Sequence, residues 1–163
     1  FVMALINERV VRRSNALLGF PWGRDFDYDE SMLCRSRGEA LLISGGMGAG
    51  MLAASTRSGR SLMQRFLPAP GEGPDRDARE RGYFELFFHA EHPDDRALDV
   101  RARVSGDRDP GYGATSRMLG EAAVCLAKDP LTTGGGIWTP ASAMAGALLP
   151  RLEANAGISF TLL

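Results

Sequence analysis

The stretch YFELFFHAEHPDDRALDVRARV, residues 83–104, decides the fold. Phe84, Leu86, Phe88 and Ala90 recur at every second residue, with Glu85, His89 and Glu91 at alternate positions. Leu98, Val100, Ala102 and Val104 stand in the same way against Asp99, Arg101 and Arg103. A period of two puts each set on one face of a strand, and the connector HPDDRA is rich in turn formers. The pattern predicts an antiparallel hairpin with one buried face and a polar face able to carry Glu–Arg cross-strand pairs.

Moving outward, PAPGEGP (residues 68–74) sets three prolines and two glycines in seven residues, so it reads as a loop. Upstream, the helical period in FVMALINERVVRRSNALL brings Met3, Ile6, Val10, Ala16 and Leu17 near one face. GFPWG ends that helix, and RDFDYDESM (24–32) alternates Phe26 and Tyr28 with aspartates, as a short half-exposed strand would. In SGRSLMQRFL, Leu62, Met63, Phe66 and Leu67 again have helical spacing.

Downstream, RMLGEAAVCLAKD carries a helical stripe of Met118, Leu119, Ala122, Cys125 and Leu126, begun by Asp109-Pro110 or by Thr115 and Ser116. IWTPASAMAGALLPRLEANAG predicts a last helix with Thr139 as N-cap, Pro140 at N1 and Gly157 just past its end. Pro150 inside it should kink the helix near Gly146. ISFTLL closes the chain as a strand. The order is that of an α+β fold: a mixed, largely antiparallel sheet with helices mainly on one face.

A chain of 163 residues, 44% hydrophobic and 24% charged, has the composition of one soluble domain. A net charge of -1 offers no field to gather nucleic acid, so no nucleic-acid partner is expected. Cys34 and Cys125 match no zinc spacing and suggest a reducing, cytoplasmic setting. The chain opens at Phe1 without a leader pattern and reads as an excised piece.

ALLISGGMGAGMLAAS (40–55) contains GAGMLA, which fits the GxGxxA form of the dinucleotide-binding fingerprint. A functional fingerprint also needs a second strand ending in an acidic residue about 20 positions later. RFLPAPGEGPD supplies a loop there instead, so no cofactor-binding residue is assigned. The run reads better as a small-residue helical segment packed in the core, on a partner or on a lipid surface. His89 and His92 fall on opposite faces of a strand and Asp94 and Asp95 read as turn formers, so no metal site is assigned either.

GDRDPGYGATS (106–116) is the best chemical candidate. Tyr112 offers a phenol, Thr115 and Ser116 offer hydroxyls, and the adjoining helix start offers amides to an anion. The alternative is a capped strand-to-helix turn in which Asp107 and Asp109 satisfy local amides. ERVVRR with Ser14 and Asn15 is a solvated helix face or an anion clamp.

Four blocks, VVRRSNALLGFPWGRDFDYDE, PAPGEGP, RVSGDRDPGYGATSRMLGEAAVCLA and GGGIWTPASAMAGAL, together resemble the later part of saccharopine dehydrogenase-like oxidoreductases, most closely the bacterial trans-acting enoyl reductase branch. The resemblance implies that residues 1–163 form a single C-terminal substrate-binding and dimerisation domain whose N-terminal Rossmann partner domain lies outside this chain. NAD(P)H would then be bound mainly by that other domain, and this chain alone would hold no cofactor and have no redox activity.

The expected substrate is a small molecule or an acyl or lipid intermediate. Tyr112 is the candidate proton donor, with Arg12, Arg13, Asn15, Asp109 and Thr115 as polar contacts and Trp138 as an apolar wall. A homodimer contact is expected on the hairpin sheet, and a peripheral membrane contact at residues 40–67. The alternative function is a non-catalytic dimerisation or membrane- and partner-interaction module.

Overall fold

In the computed structural model, which describes residues 1–67 and 71–163, the hairpin forms as expected. β1 (Phe84–Ala90) pairs antiparallel with β2 (Val100–Gly106), with Phe84 opposite Gly106 and Ala90 opposite Val100. β3 (Ile158–Leu162) adds antiparallel to the other edge of β2, with Ile158 opposite Gly106 and Leu162 opposite Ala102. The sheet order among the described residues is therefore β1-β2-β3. Six α-helices accompany it among the described residues: α1 (Ala4–Leu17), α2 (Arg37–Ser55), α3 (Arg57–Met63), α4 (Arg76–Arg81), α5 (Gly113–Lys128) and α6 (Pro140–Asn155). The fold is α+β.

The described residues group into two compact units, Phe1–Glu8 with Tyr28–Gly73, and Arg9–Asp27 with Pro74–Leu163. In the second, α5 and α6 pack together, and the sheet's apolar face meets them at one end. Ala114, Cys125, Met144, Leu148, Leu152, Ala156 and Ile158 are buried, with Phe84, Val104, Met118 and Ala122 packed against them. Among the described residues, only that end of the face is covered. Leu86, Phe88, Val100 and Leu162 lie farther along the same face and are exposed. The expected single buried face is thus half realised, because α5 and α6 span only part of it. Arg103 and Glu85 supply one cross-strand ion pair on the polar face, at 3.6 Å.

Arg151 joins α6 to the end of α5. Its Nε and Nη2 donate to the two oxygens of Asp129 at 2.7 and 2.6 Å, and its Nη1 donates to Glu121 at 3.2 Å. The Arg151 hydrogen bonds hold the Asp129 carboxyl below its ordinary range, and Asp129 with Glu121 raises Arg151 in turn.

In α6, Thr139 caps the first turn in a reciprocal capping box with Ser142, and Pro140 follows it. The helix ends before Gly157, which takes the left-handed φ of 70°. The kink falls at Met144 (φ -151°, ψ 16°), two residues before the expected Gly146. There the Thr133 hydroxyl donates to the Ala143 carbonyl at 2.8 Å, so an outside donor satisfies a backbone group that the break frees.

Three other expectations need correction. Residues 24–34 form no strand; Arg12 pairs with Asp27 at 2.6 Å, and side-chain bonds take the place of a ladder. The apolar positions Ile6 and Val10 of α1, and Met3 just before it, are exposed, whereas Ser14 and Asn15 are buried. In α5, Leu119 and Leu126 are exposed, leaving Cys125 buried with Ala114. The charged run before β1 turns out to contain α4, capped by Asp75 and braced by Arg76–Glu80 and Arg81–Asp77 pairs at i,i+4 spacing. Of the PAPGEGP loop, residues 68–70 lie outside the described residues; residues 71–74 are neither helix nor strand.

In the first unit, α2 runs unbroken through Gly45, Gly46, Gly48 and Gly50. Ser36 accepts from the Glu39 amide and the Glu39 carboxylate accepts from the Arg35 amide, which fixes its start. No residue of α2 is buried. Glu30 accepts from Asn7 and from the Tyr28 phenol, each at 2.9 Å. Burial, then the hydrogen bond to Glu30, pushes the Tyr28 phenol up to about 12.

Candidate functional site

The loop between β2 and α5 is built around Asp109. Its Oδ2 accepts from the amides of Tyr112 at 2.7 Å and Gly113 at 3.3 Å, and its carbonyl accepts from the Ala114 amide at 2.8 Å. Asp109 therefore does the capping work at the start of α5, where Tyr112 itself makes no side-chain cap. The Tyr112 amide above all, and then those of Gly113 and Gly111, keep the Asp109 carboxyl below its usual range. The Asp109 amide in turn donates to the Arg79 carbonyl at 3.1 Å.

Two glycines permit this close approach. A Cβ at Gly82 would lie 2.5 Å from the Asp109 nitrogen, and one at Gly113 would lie 2.5 Å from the Arg79 carbonyl oxygen. The end of α4 is thereby held against the start of α5.

Thr115 donates to the Pro110 carbonyl at 2.6 Å and Ser116 to the Gly113 carbonyl at 3.1 Å, so both hydroxyls brace the turn. The Tyr112 side chain differs. It is 57% exposed, and its phenol has no hydrogen bond among the described residues. Beside it lies a shallow concavity of about 220 Å³ lined by Arg76, Arg79, Glu80, Arg108, Tyr112, Gly113, Ser116 and Arg117. The structure thus brings Asp109, Tyr112 and Thr115 into one turn and adds four arginines to it. The composition of DRDARERG held that signal, since its i,i+4 charge pairs mark a helix whose remaining arginine can turn toward a neighbour.

The other sequence candidates form a second group. Arg13 donates to the Ile137 carbonyl at 3.3 Å, and Ser14 shares a buried hydrogen bond of 2.7 Å with Thr139. Asn15 donates to the Gly23 carbonyl at 2.8 Å and accepts from the Trp22 amide at 3.2 Å. Its amide therefore clamps the turn after α1, which contains Phe20 at φ 65°. Arg12 is occupied by Asp27. Trp138 donates to the Gly134 carbonyl at 2.9 Å and leaves part of its ring exposed. Among the described residues, no hydrogen bond or ion pair joins this group to the Asp109 turn.

His89 lies 3.7 Å from Glu91 and 3.6 Å from Asp99. Among the described residues, no group of three His, Cys, Asp or Glu side chains is placed to hold a metal ion. Nor is any helix among them long and apolar enough to cross a membrane. GAGMLA lies inside α2, well past the helix start at Arg37, so its amides are engaged in the helix and cannot cradle a pyrophosphate.

No family model and no solved structure matches the chain. It is 44% identical over 98% of its length to a Mycobacterium tuberculosis protein provisionally named a trans-acting enoyl reductase. It is 37% identical over 97% of its length to a trans-acting enoyl reductase of Mycobacterium bovis, and 36% identical over 93% to one of Mycobacterium ulcerans. These alignments cover 39%, 39% and 38% of the relatives' own lengths. Over nearly its whole length, then, the chain is similar to about two fifths of proteins named trans-acting enoyl reductases.

Proposed function

We propose that the chain is the substrate-binding part of an NAD(P)H-dependent enoyl reductase of the saccharopine dehydrogenase-like kind. The similarity to the mycobacterial proteins carries this reading. A bound nicotinamide would supply the hydride for the carbon–carbon double bond of an acyl or lipid intermediate. Its pyrophosphate does not fit GAGMLA, which is helical, and the reading puts the cofactor on a Rossmann domain outside this chain. The chain's own task is to orient the acyl group and deliver a proton to the carbon next to the carbonyl. Tyr112 suits that role because its phenol is exposed and unengaged on a turn that Asp109 holds rigid.

In the full-length protein, Tyr112→Phe is expected to lower kcat for NADPH-dependent enoyl-thioester reduction about a hundredfold, with KM little changed. Unchanged turnover removes Tyr112 from the mechanism; no reduction by the unaltered full-length protein removes the enoyl reductase reading itself.

One observation favours a surface-contact role as a second reading. In α2, Leu41, Leu42, Met51 and Leu52 are exposed by 69–78%. Arg35, Arg37, Arg57, Arg60 and Arg65 flank them against a single acidic residue, Glu39. Apolar side chains edged by arginines suit an anionic lipid surface. Flotation with phosphatidylglycerol vesicles but not with phosphatidylcholine vesicles, abolished by Gly48→Asp, is the expected result. Absence of flotation removes the membrane contact.

A further inference from the structure

The concavity beside Tyr112 collects more positive charge than the turn needs. Four guanidinium groups, from Arg76, Arg79, Arg108 and Arg117, line it with one carboxylate, that of Glu80. Glu80 is bonded to Arg76 at 2.8 Å. The nearby aspartates are engaged elsewhere: Asp75 caps α4 through the Ala78 amide, and Asp109 accepts from the amides at the start of α5. Arg79 uses its Nε on the Asp75 carbonyl at 3.3 Å, which leaves its two terminal nitrogens. The Arg108 Nε is buried without a hydrogen-bond partner, with the Asp107 carboxylate 3.8 Å away. Arg117 has no hydrogen bond or ion pair among the described residues.

This convergence is built into the backbone. The Asp109–Arg79 hydrogen bond and the close approaches at Gly82 and Gly113 hold α4 beside α5, so Arg76 and Arg79 from one helix meet Arg108 and Arg117 from the other side. A volume of about 220 Å³ is below the roughly 300 Å³ at which pockets begin to take a whole small molecule, so the site is sized for a group. Several guanidinium forks around one opening suit a group with several oxygens and nearly two negative charges, as a phosphate monoester has at neutral pH.

We propose that Arg76, Arg79, Arg108 and Arg117 bind the phosphoryl group of a phosphate ester whose remainder extends past Tyr112. This rests on the enoyl reductase reading for the identity of the ester, though not for the anion. Two sources share the chemistry: the phosphate of an acyl-thioester carrier such as coenzyme A, and the ribose 2′-phosphate of NADPH.

The test is isothermal titration of the chain at low ionic strength with coenzyme A, NADPH, NADH and inorganic phosphate. Binding of coenzyme A with NADPH and NADH indistinguishable assigns the site to the acyl carrier; binding of NADPH but not NADH assigns it to the nucleotide. In either case Arg79→Gln and Arg117→Gln should each weaken binding about tenfold, while Arg101→Gln, exposed on β2, should change nothing. Arg117 is exposed and unpaired, so its variant keeps the fold, which an unchanged thermal melt would verify. Binding of none of the probes, of inorganic phosphate alone, or of an ester with undiminished affinity to the Arg79→Gln/Arg117→Gln double variant overturns the proposal. If arginine-dependent binding persists while the full-length protein reduces no enoyl thioester, the phosphate site stands and the reading above it falls.

Discussion

Cys125 and Cys34 share a chemistry and differ in their surroundings. Cys125 is fully buried on α5 between the core and Asp129, and burial, ahead of the Asp129 contact, pushes its thiol up. Cys34 is partly exposed on the segment before α2. A thiol reagent should therefore titrate one thiol in the native protein and two after denaturation; two fast-reacting thiols in the native protein would contradict the burial of Cys125.

Arg151 and Asp129 supply a pH prediction at the same scale. Asp129 has a depressed native value, so its contribution to stability is fully present above the ordinary aspartate value of about 4 and is lost as pH falls through the lower native one. Arg151→Met should lower Tm by several degrees at pH 7 and flatten the acid limb of the Tm–pH curve below about pH 4. A parallel limb in the variant would show that the pair does not set acid stability.

At the scale of elements, α2 carries five glycines, four of them in its interior, in a helix with no buried residue, and each interior glycine costs about 1 kcal/mol relative to alanine. Nothing lies within 4 Å of a Cβ built at Gly46 or Gly48. Gly46→Ala and Gly48→Ala should each stabilise α2 by about 0.5–1 kcal/mol, read as slower amide exchange across residues 40–53. Faster exchange would mean that the helix needs those glycines for an approach that this chain by itself does not show.

The elements also divide by how visible they are in the sequence. β1 and β2 could be read because period two runs through seven residues in each, broken at Phe87 alone. Residues 24–32 imitate that period, yet Asp27 is drawn into a bond with Arg12 and Tyr28 into one with Glu30. α4 escapes a search for apolar periodicity because it is made of charge pairs and has no apolar face.

At the scale of the molecule, the core is the junction of α5, α6 and one end of the sheet. Leu152→Ala should cost about 3 kcal/mol in a denaturant titration, and Leu119→Ala, exposed on the far side of α5, less than about 0.5 kcal/mol. Equal costs would place the core elsewhere. The uncovered half of the sheet face, with Phe88 39% and Leu162 78% exposed, is apolar surface on which the homodimer contact anticipated from the sequence would fall. Sedimentation velocity should then show association that Phe88→Lys/Leu162→Lys reduces; a monomer at all concentrations removes that contact.

Local rules written in the residues determined the hairpin, the Thr139–Pro140 start and Gly157 end of α6, and the turn centred on Asp109, because alternation, capping and left-handed glycine act over a few positions. Only the tertiary structure decided which apolar stripe is buried, where α6 bends and which arginines meet at Tyr112. Those outcomes depend on residues far apart in the chain: Thr133 reaching Ala143, Arg151 reaching Asp129, and Arg79 held against Asp109 by two glycines that leave no room for a side chain.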